Sequence, residues 1–267
     1  MRASSLSPVL LAVTFVLAQA CTRKDGEVVR ERPESFTAAA EAAIGAALTD
    51  ADWRKANVPA LVPGEVGYDA KAFDYLRPLL RELTQQAAVS RRDSFAWDIH
   101  LVLDRSAHAY TLPGGQIVLH TGLLHQLDNE AECVGVLARE VALAERGAAM
   151  AAYDRAVEDN VLLGDLLLGN ETDTELLLGL AATVEYTPAE LRAADSLAAA
   201  LVCPSNYLHE GLTVAVARLP EASAYRMARP TDEDWAGEFA ARVEDCVGTD
   251  STYAVRYVEM LRRAVPD

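Results

Sequence analysis

Residues 97–130, WDIHLVLDRSAHAYTLPGGQIVLHTGLLHQLDNE, decide how this chain folds. Trp97, Ile99, Leu101 and Leu103 alternate with polar partners, which is the period of a half-buried strand. Residues 107–112 and 116–120 flank Pro113-Gly114-Gly115, a run punctuated for a hairpin or another tight reversal. Asp128-Asn129-Glu130 then caps a helix expected to run to about Arg146. Along that helix Val134, Leu137, Val141 and Ala144 recur at helical spacing and should face the core. The centre of the fold is therefore expected to be a small sheet lying beside one largely buried helix.

The helix carries Arg139-Glu140-Val141-Ala142-Leu143. Taken with residues 97–130, this run resembles the approach to the active-site helix of the M48 family of zinc metallopeptidases. That family writes Trp, a short strand, Asn-Ala-Phe-x-x-Pro-Gly-Gly-x-Ile, Thr-Gly-Leu-Leu and Asn-Glu directly ahead of His-Glu-x-x-His. The resemblance covers about residues 70–245 and is specific between Trp97 and Glu140. After Asp195 it is looser: Cys203-Pro204-Ser205-Asn206-Tyr207 stands where the family has Ala-Gly-Tyr-Asp-Pro, and Arg229-Pro230-Thr231 where it has His-Pro-Thr. The resemblance implies an α+β fold, a mostly helical zincin-like metallopeptidase domain with a small β-sheet next to the former active-site helix. It also implies that the strand at residues 108–112 borders the cleft and holds substrate backbone by strand addition.

His-Glu-x-x-His works because residues four apart share one helix face, so two imidazoles grip one Zn²⁺ while the Glu acts as general base on its bound water. Here the first ligand slot holds Arg139, a permanent cation without a lone pair to donate, and the second holds Leu143. The third ligand, a Glu in a Glu-x-x-Ala-Asp pattern in the family, corresponds to Leu191 of Leu191-Arg192-Ala193-Ala194-Asp195. Glu190 is one residue off, pointing about 100° away on a helix. Glu140 remains as a vestigial general base and Asp195 as a second-shell acid. Zinc is the family's cofactor, but its three ligands are absent, so the expectation is no metal and no cofactor.

No other site replaces the lost one in the sequence. His100, His108, His120, His125 and His209 show no helical ligand spacing, and His120 and His125 read as solvated polar residues flanking Thr-Gly-Leu-Leu. Glu140, Glu145, Glu185, Glu190 and Asp195 match no known ion-binding loop. Arg139 has two readings. Its guanidinium fills the volume left by zinc and pairs with Glu140 or Asp195, or it swings out to the surface.

The N-terminus reads as an export signal over residues 1–20: Met1-Arg2, an apolar run over 9–18, then Leu17-Ala18-Gln19-Ala20-Cys21. Small residues before a Cys resemble a bacterial lipobox with Cys21 as the lipidated residue, although Ala18-Gln19-Ala20 also suits ordinary signal cleavage. Residues 21–35 are charged and read as a lipid-anchored tether, and 36–267 as a single domain. Thr22 after the Cys favours the outer over the inner membrane of a bacterial envelope. With 24 Lys and Arg against 40 Asp and Glu, the net charge of −16 repels nucleic acid and anionic head groups. Membrane attachment would then come from the N-terminal lipid. Cys203 and Cys246 are the candidate disulfide of an oxidising compartment, and Cys133 reads as a small buried thiol.

Elsewhere, an Ala-rich helix is expected from Ser35-Phe36 to about Leu48, and a longer one from about Asp69 to Val89 bent at Pro78. Two or three further helices are expected over 150–202, with Val161-Leu162-Leu163 and Leu166-Leu167-Leu168 forming an apolar patch too short to span a bilayer. The function implied by the resemblance is a catalytically degenerate envelope lipoprotein that binds unfolded polypeptides or a partner protein in quality control. The binding residues would be His108, Ala109, Tyr110, Thr111 and Leu112 of an edge strand, with Gly114 and Gly115 leaving the backbone accessible. Two alternatives stand beside it: a surviving hydrolase that uses Glu140 and Asp195 with a non-standard metal or none, and a purely structural lipoprotein.

Overall fold

Strand alternation and turn punctuation between Asp98 and His120 produce a three-stranded sheet, around which the helices assemble. The structure is a computed structural model and describes residues 37–63, 71–158, 178–179, 185–220, 235–246 and 251–265. In chain order its elements are α1 (Ala38–Asp50), α2 (Lys71–Thr84), β1 (Asp98–Val102), β2 (Ala109–Leu112), β3 (Gln116–His120), α3 (Thr121–Gln126), α4 (Glu130–Glu145), α5 (Ala148–Glu158), α6 (Pro188–Val202), α7 (Gly211–Arg218), α8 (Trp235–Val243) and α9 (Ala254–Ala264). The architecture is α+β, mostly helical with one small sheet. Met1–Glu34 and Ser35–Asp267 separate as two units, and every described residue belongs to the second. The export signal, Cys21, the tether, the apolar run at 161–168 and Arg229-Pro230-Thr231 lie outside the described residues. No described helix is long and apolar enough to cross a membrane.

The strand order is β1-β3-β2. β2 and β3 pair antiparallel, with Tyr110 opposite Val118, across the reversal at Pro113–Gly115. β1 lies parallel to β3 on its other side, with Leu101 opposite Leu119. Gly114 (φ 74°) and Gly115 (φ 83°) adopt left-handed backbone that other residues rarely tolerate. The glycines also permit close packing. A Cβ on Gly114 would sit 2.4 Å from the Gly45 Cα of α1, and one on Gly115 would strike the Trp97 ring. This corrects the expectation that these two glycines leave the backbone open: both are buried.

Both sheet faces are covered. Ile99, Leu101, Ala109, Ile117 and Leu119 join the larger core with α2 and α4, while Val102, Leu112 and Val118 join Leu48, Trp53, Met150 and Tyr153 on the other face. Burying each large side chain contributes roughly 1.5–3 kcal/mol. α4 runs through the centre of the larger core, with every residue from Glu130 to Ala144 buried. The Asn129 side chain starts it by accepting the Glu132 amide, satisfying one of the first-turn donors. Gly135 lets α7 cross closely, since a Cβ there would lie 2.4 Å from the Leu212 backbone nitrogen.

α1 starts at Ala38, with Thr37 as its cap, and runs two residues past the expected end. α2 stops at Thr84, short of the expected Val89, because the following turn is held elsewhere: the Gln86 side chain donates to the Leu201 carbonyl and Val89 buries itself. Pro78 sits inside α2. Cys203 and Cys246 are joined in a disulfide, Cα atoms 5.1 Å apart, linking the end of α6 to the turn after α8.

Candidate functional site

Three elements place the side chains that a catalytic centre would use. α4 carries Arg139, Glu140 and Leu143, α6 carries Leu191 and Asp195, and β2 lies against α4 through Thr111. Arg139 is 1% exposed and Asp195 2% exposed, so this guanidinium is turned into the protein. Its Nε lies 2.9 Å from Asp195 Oδ1. The other carboxylate oxygen of Asp195 accepts the Trp235 indole N–H at 2.6 Å. Arg139 also stands over the Trp235 ring, 5.8 Å from its centroid. Of the two readings of Arg139, the geometry adopts the buried one, and its carboxylate is Asp195. Leu143 and Leu191, 2% and 3% exposed, join the same core.

Glu140 is 1% exposed. Thr111 Oγ1 donates to its carboxylate at 2.8 Å and also lies 3.0 Å from its backbone carbonyl. Burial pushes the Glu140 carboxyl up to about 7, the Thr111 hydrogen bond and the Arg139 charge offsetting part of the rise. The same volume holds the hydroxyls of Tyr153 and Tyr186, both buried without a hydrogen-bond partner. Burial raises Tyr186 well above the usual phenol range, and the nearby Glu140 raises it further.

The remaining acids lie elsewhere. Glu190 closes a capping box with Thr187 at the start of α6 and binds Arg155 at 2.8 Å, so it takes no part in the Arg139–Asp195 pair. Glu145 accepts the backbone amides of Ser90 and Arg91. Among the histidines, His100 stacks on Trp53 at 3.9 Å between ring centroids, His125 is exposed and His209 is buried. His108 and His120 meet at 5.1 Å, with Tyr110 against both. His120 Nδ1 reaches Ser106 at 2.7 Å and Asp104 at 3.3 Å. Burial drives His108 down to about 4, so it is neutral at pH 7. Cys133 is buried.

The residues present do not fit a zinc ion. Two of the three ligand slots are aliphatic and the third is a guanidinium already in contact with a carboxylate. Among the described residues, no group of three or more His, Cys, Asp or Glu side chains is placed to hold a metal.

Among the described residues β2 is one edge of the sheet and β1 the other. The His120 amide donates to the His108 carbonyl, so His108, Tyr110 and Leu112 pair inward on β3, and the Ala109 and Thr111 backbone groups point to the outer edge. The side chains of Ala109, Thr111 and Leu112 are nonetheless buried; those of His108 and Tyr110 are half-buried. Three partners of the site left no motif: Trp235, Tyr153 and Tyr186. Thr111 was legible only as a strand residue, although the alternation that places Ala109 toward α4 also sends Thr111 toward Glu140.

A sequence profile of peptidase family M48 matches residues 70–228. The mitochondrial metalloendopeptidase OMA1 of Schizosaccharomyces pombe is 34% identical over 85 residues, 31% of this chain. That match spans 25% of the relative's length.

Proposed function

This chain belongs to peptidase family M48, and from that premise we propose that its domain has lost hydrolysis and retains a polypeptide-binding role. One observation carries the reading: the buried Arg139–Asp195 ion pair stands where the resemblance puts the first zinc ligand. The guanidinium occupies the ligand position without a lone pair to offer a cation, and its pairing leaves the Asp195 carboxylate already committed. Without a metal, the Lewis acid that would polarise the scissile carbonyl and activate the attacking water beside Glu140 is missing. The protein accordingly holds no catalytic zinc and needs no cofactor.

In this reading β2 receives an extended segment of an envelope polypeptide or partner protein along the edge where the Ala109 and Thr111 backbone groups point. The chain is exported by residues 1–20, lipidated at Cys21 and held on the periplasmic side of a bacterial envelope, at the outer membrane. The small residues ahead of Cys21 support the anchor, and the acidic charge argues against nucleic acid as a partner. One observation favours the second reading, an active hydrolase: Glu140 titrates near 7, suited to moving protons.

Fluorescein-labelled unfolded casein separates the two. Retention without fragments, weakened by Ala109→Pro and unchanged by Glu140→Ala, fits the binding role. Fragments that disappear on Glu140→Ala overturn it.

A further inference from the structure

On the opposite side of the sheet from β2, α2 and the segment leading into β1 enclose a cavity of about 580 Å³. Its charge inverts that of the chain. Among the described residues, Arg77, Arg81 and Arg92 line it against one acid, Asp98, whereas acidic residues outnumber basic ones 40 to 24 in the whole sequence. Arg77 is committed to Asp98 through two hydrogen bonds of 2.7 and 2.8 Å, which neutralises both and fixes the floor. Arg92 makes only long contacts, 3.4 Å to Asp93 and 3.4 Å to the Gln85 carbonyl. Arg81 has no ion-pair partner among the described residues, although Glu82 follows it in sequence.

The wall is aromatic. Phe95 and Trp97 pack with ring centroids 5.4 Å apart, and the Trp97 ring is pinned against Gly115. The Trp97 indole nitrogen is itself buried, with no acceptor among the described residues. Guanidinium forks beside a wall of two tilted aromatic rings match one ligand chemistry.

The geometry points to an anion-binding site here, taking a phosphate or carboxylate group carried on an apolar or aromatic body. Arg81 and Arg92 hold the oxyanion, and Phe95 and Trp97 hold the body. The site is separate from the Arg139–Asp195 centre and does not depend on how that centre functions. Two sources supply such a group: a free organic anion, or the head group of an anionic lipid.

The test uses ¹⁵N-labelled protein, with the Trp97 indole signal assigned by its loss in Trp97→Phe. Phenyl phosphate at low salt should shift that signal saturably. Arg81→Gln/Arg92→Gln should weaken binding at least tenfold while leaving signal dispersion intact. Binding to phosphatidylglycerol vesicles but not to phenyl phosphate, lost in the same double variant, supports the site and assigns the lipid as source. Absence of binding to either probe, or binding that the double variant leaves unchanged, overturns the proposal. Casein retention should be unaffected by the double variant, so this result and that of the polypeptide-binding role can be read separately.

Discussion

Breaking the ion pair at the centre of the molecule is expected to be costly from either side and far less costly from both. Asp195→Asn keeps an acceptor for the Trp235 indole but leaves the Arg139 guanidinium without a counter-charge in a site 1% exposed. Arg139→Met keeps length and apolar packing but strands the Asp195 carboxylate. At 2.9 Å and an effective dielectric of about 20, the direct attraction is about 6 kcal/mol, much of it spent on desolvating the two charges. Each single variant is therefore expected to lose about 3–5 kcal/mol, as for other buried pairs with one partner removed. The double variant buries no net charge and is expected to lose about 2 kcal/mol, giving a coupling of at least about 4 kcal/mol. Urea unfolding at pH 7, followed by far-UV circular dichroism with unchanged m-values, reads all four corners of the cycle. Losses that add to within about 0.5 kcal/mol would refute the pairing, because residues that do not interact give additive changes.

Glu140→Gln should change the pH dependence of stability. The folded carboxyl titrates at about 7 against an ordinary 4.5, so the folded state binds the proton more tightly than the unfolded state. Glu140 should then contribute a fall in stability of about 3 kcal/mol as pH rises from about 4.5 to about 7, and Glu140→Gln should remove that part while Glu132, raised over the same range, keeps its own; an unchanged slope in thermal melts across this range contradicts it. Removing the Cys203–Cys246 disulfide, with 43 residues of separation, should cost about 4 kcal/mol in the chain-entropy account, and Cys→Ala at both positions tests it in denaturant. Gly114→Ala should destabilise by more than about 2 kcal/mol, since it meets both a left-handed backbone and the Gly45 Cα, and a wild-type melting temperature would contradict that packing.

What could be read from the sequence was local. The hairpin at residues 109–120 shows itself through strand alternation and Pro113-Gly114-Gly115, and α4 through Asn129 and the spacing of Val134, Leu137 and Val141, because these signals lie within one turn or one strand. The parallel pairing of β1 with β3 is a contact between segments that share no turn, so nothing local announces it. Gly114 and Gly115 carried a correct turn signal but a wrong consequence. Their lack of side chains admits α1 and the Trp97 ring instead of opening the backbone. Within the site, the alignment of Arg139 with a ligand slot and of Asp195 with an Ala-Asp pair was visible as text, but whether the guanidinium points inward depends on α6 and α8 packing around it. Trp235, which fixes Asp195, comes from a helix forty residues further on, with no motif of its own.

The metal content of the purified protein decides whether this domain has given up its zinc. Elemental analysis after expression in zinc-supplemented medium is predicted to find far less than one zinc per chain, unchanged in Glu140→Ala and Asp195→Ala. One zinc per chain, lost in either variant, would contradict the claim and return this domain to the active peptidases.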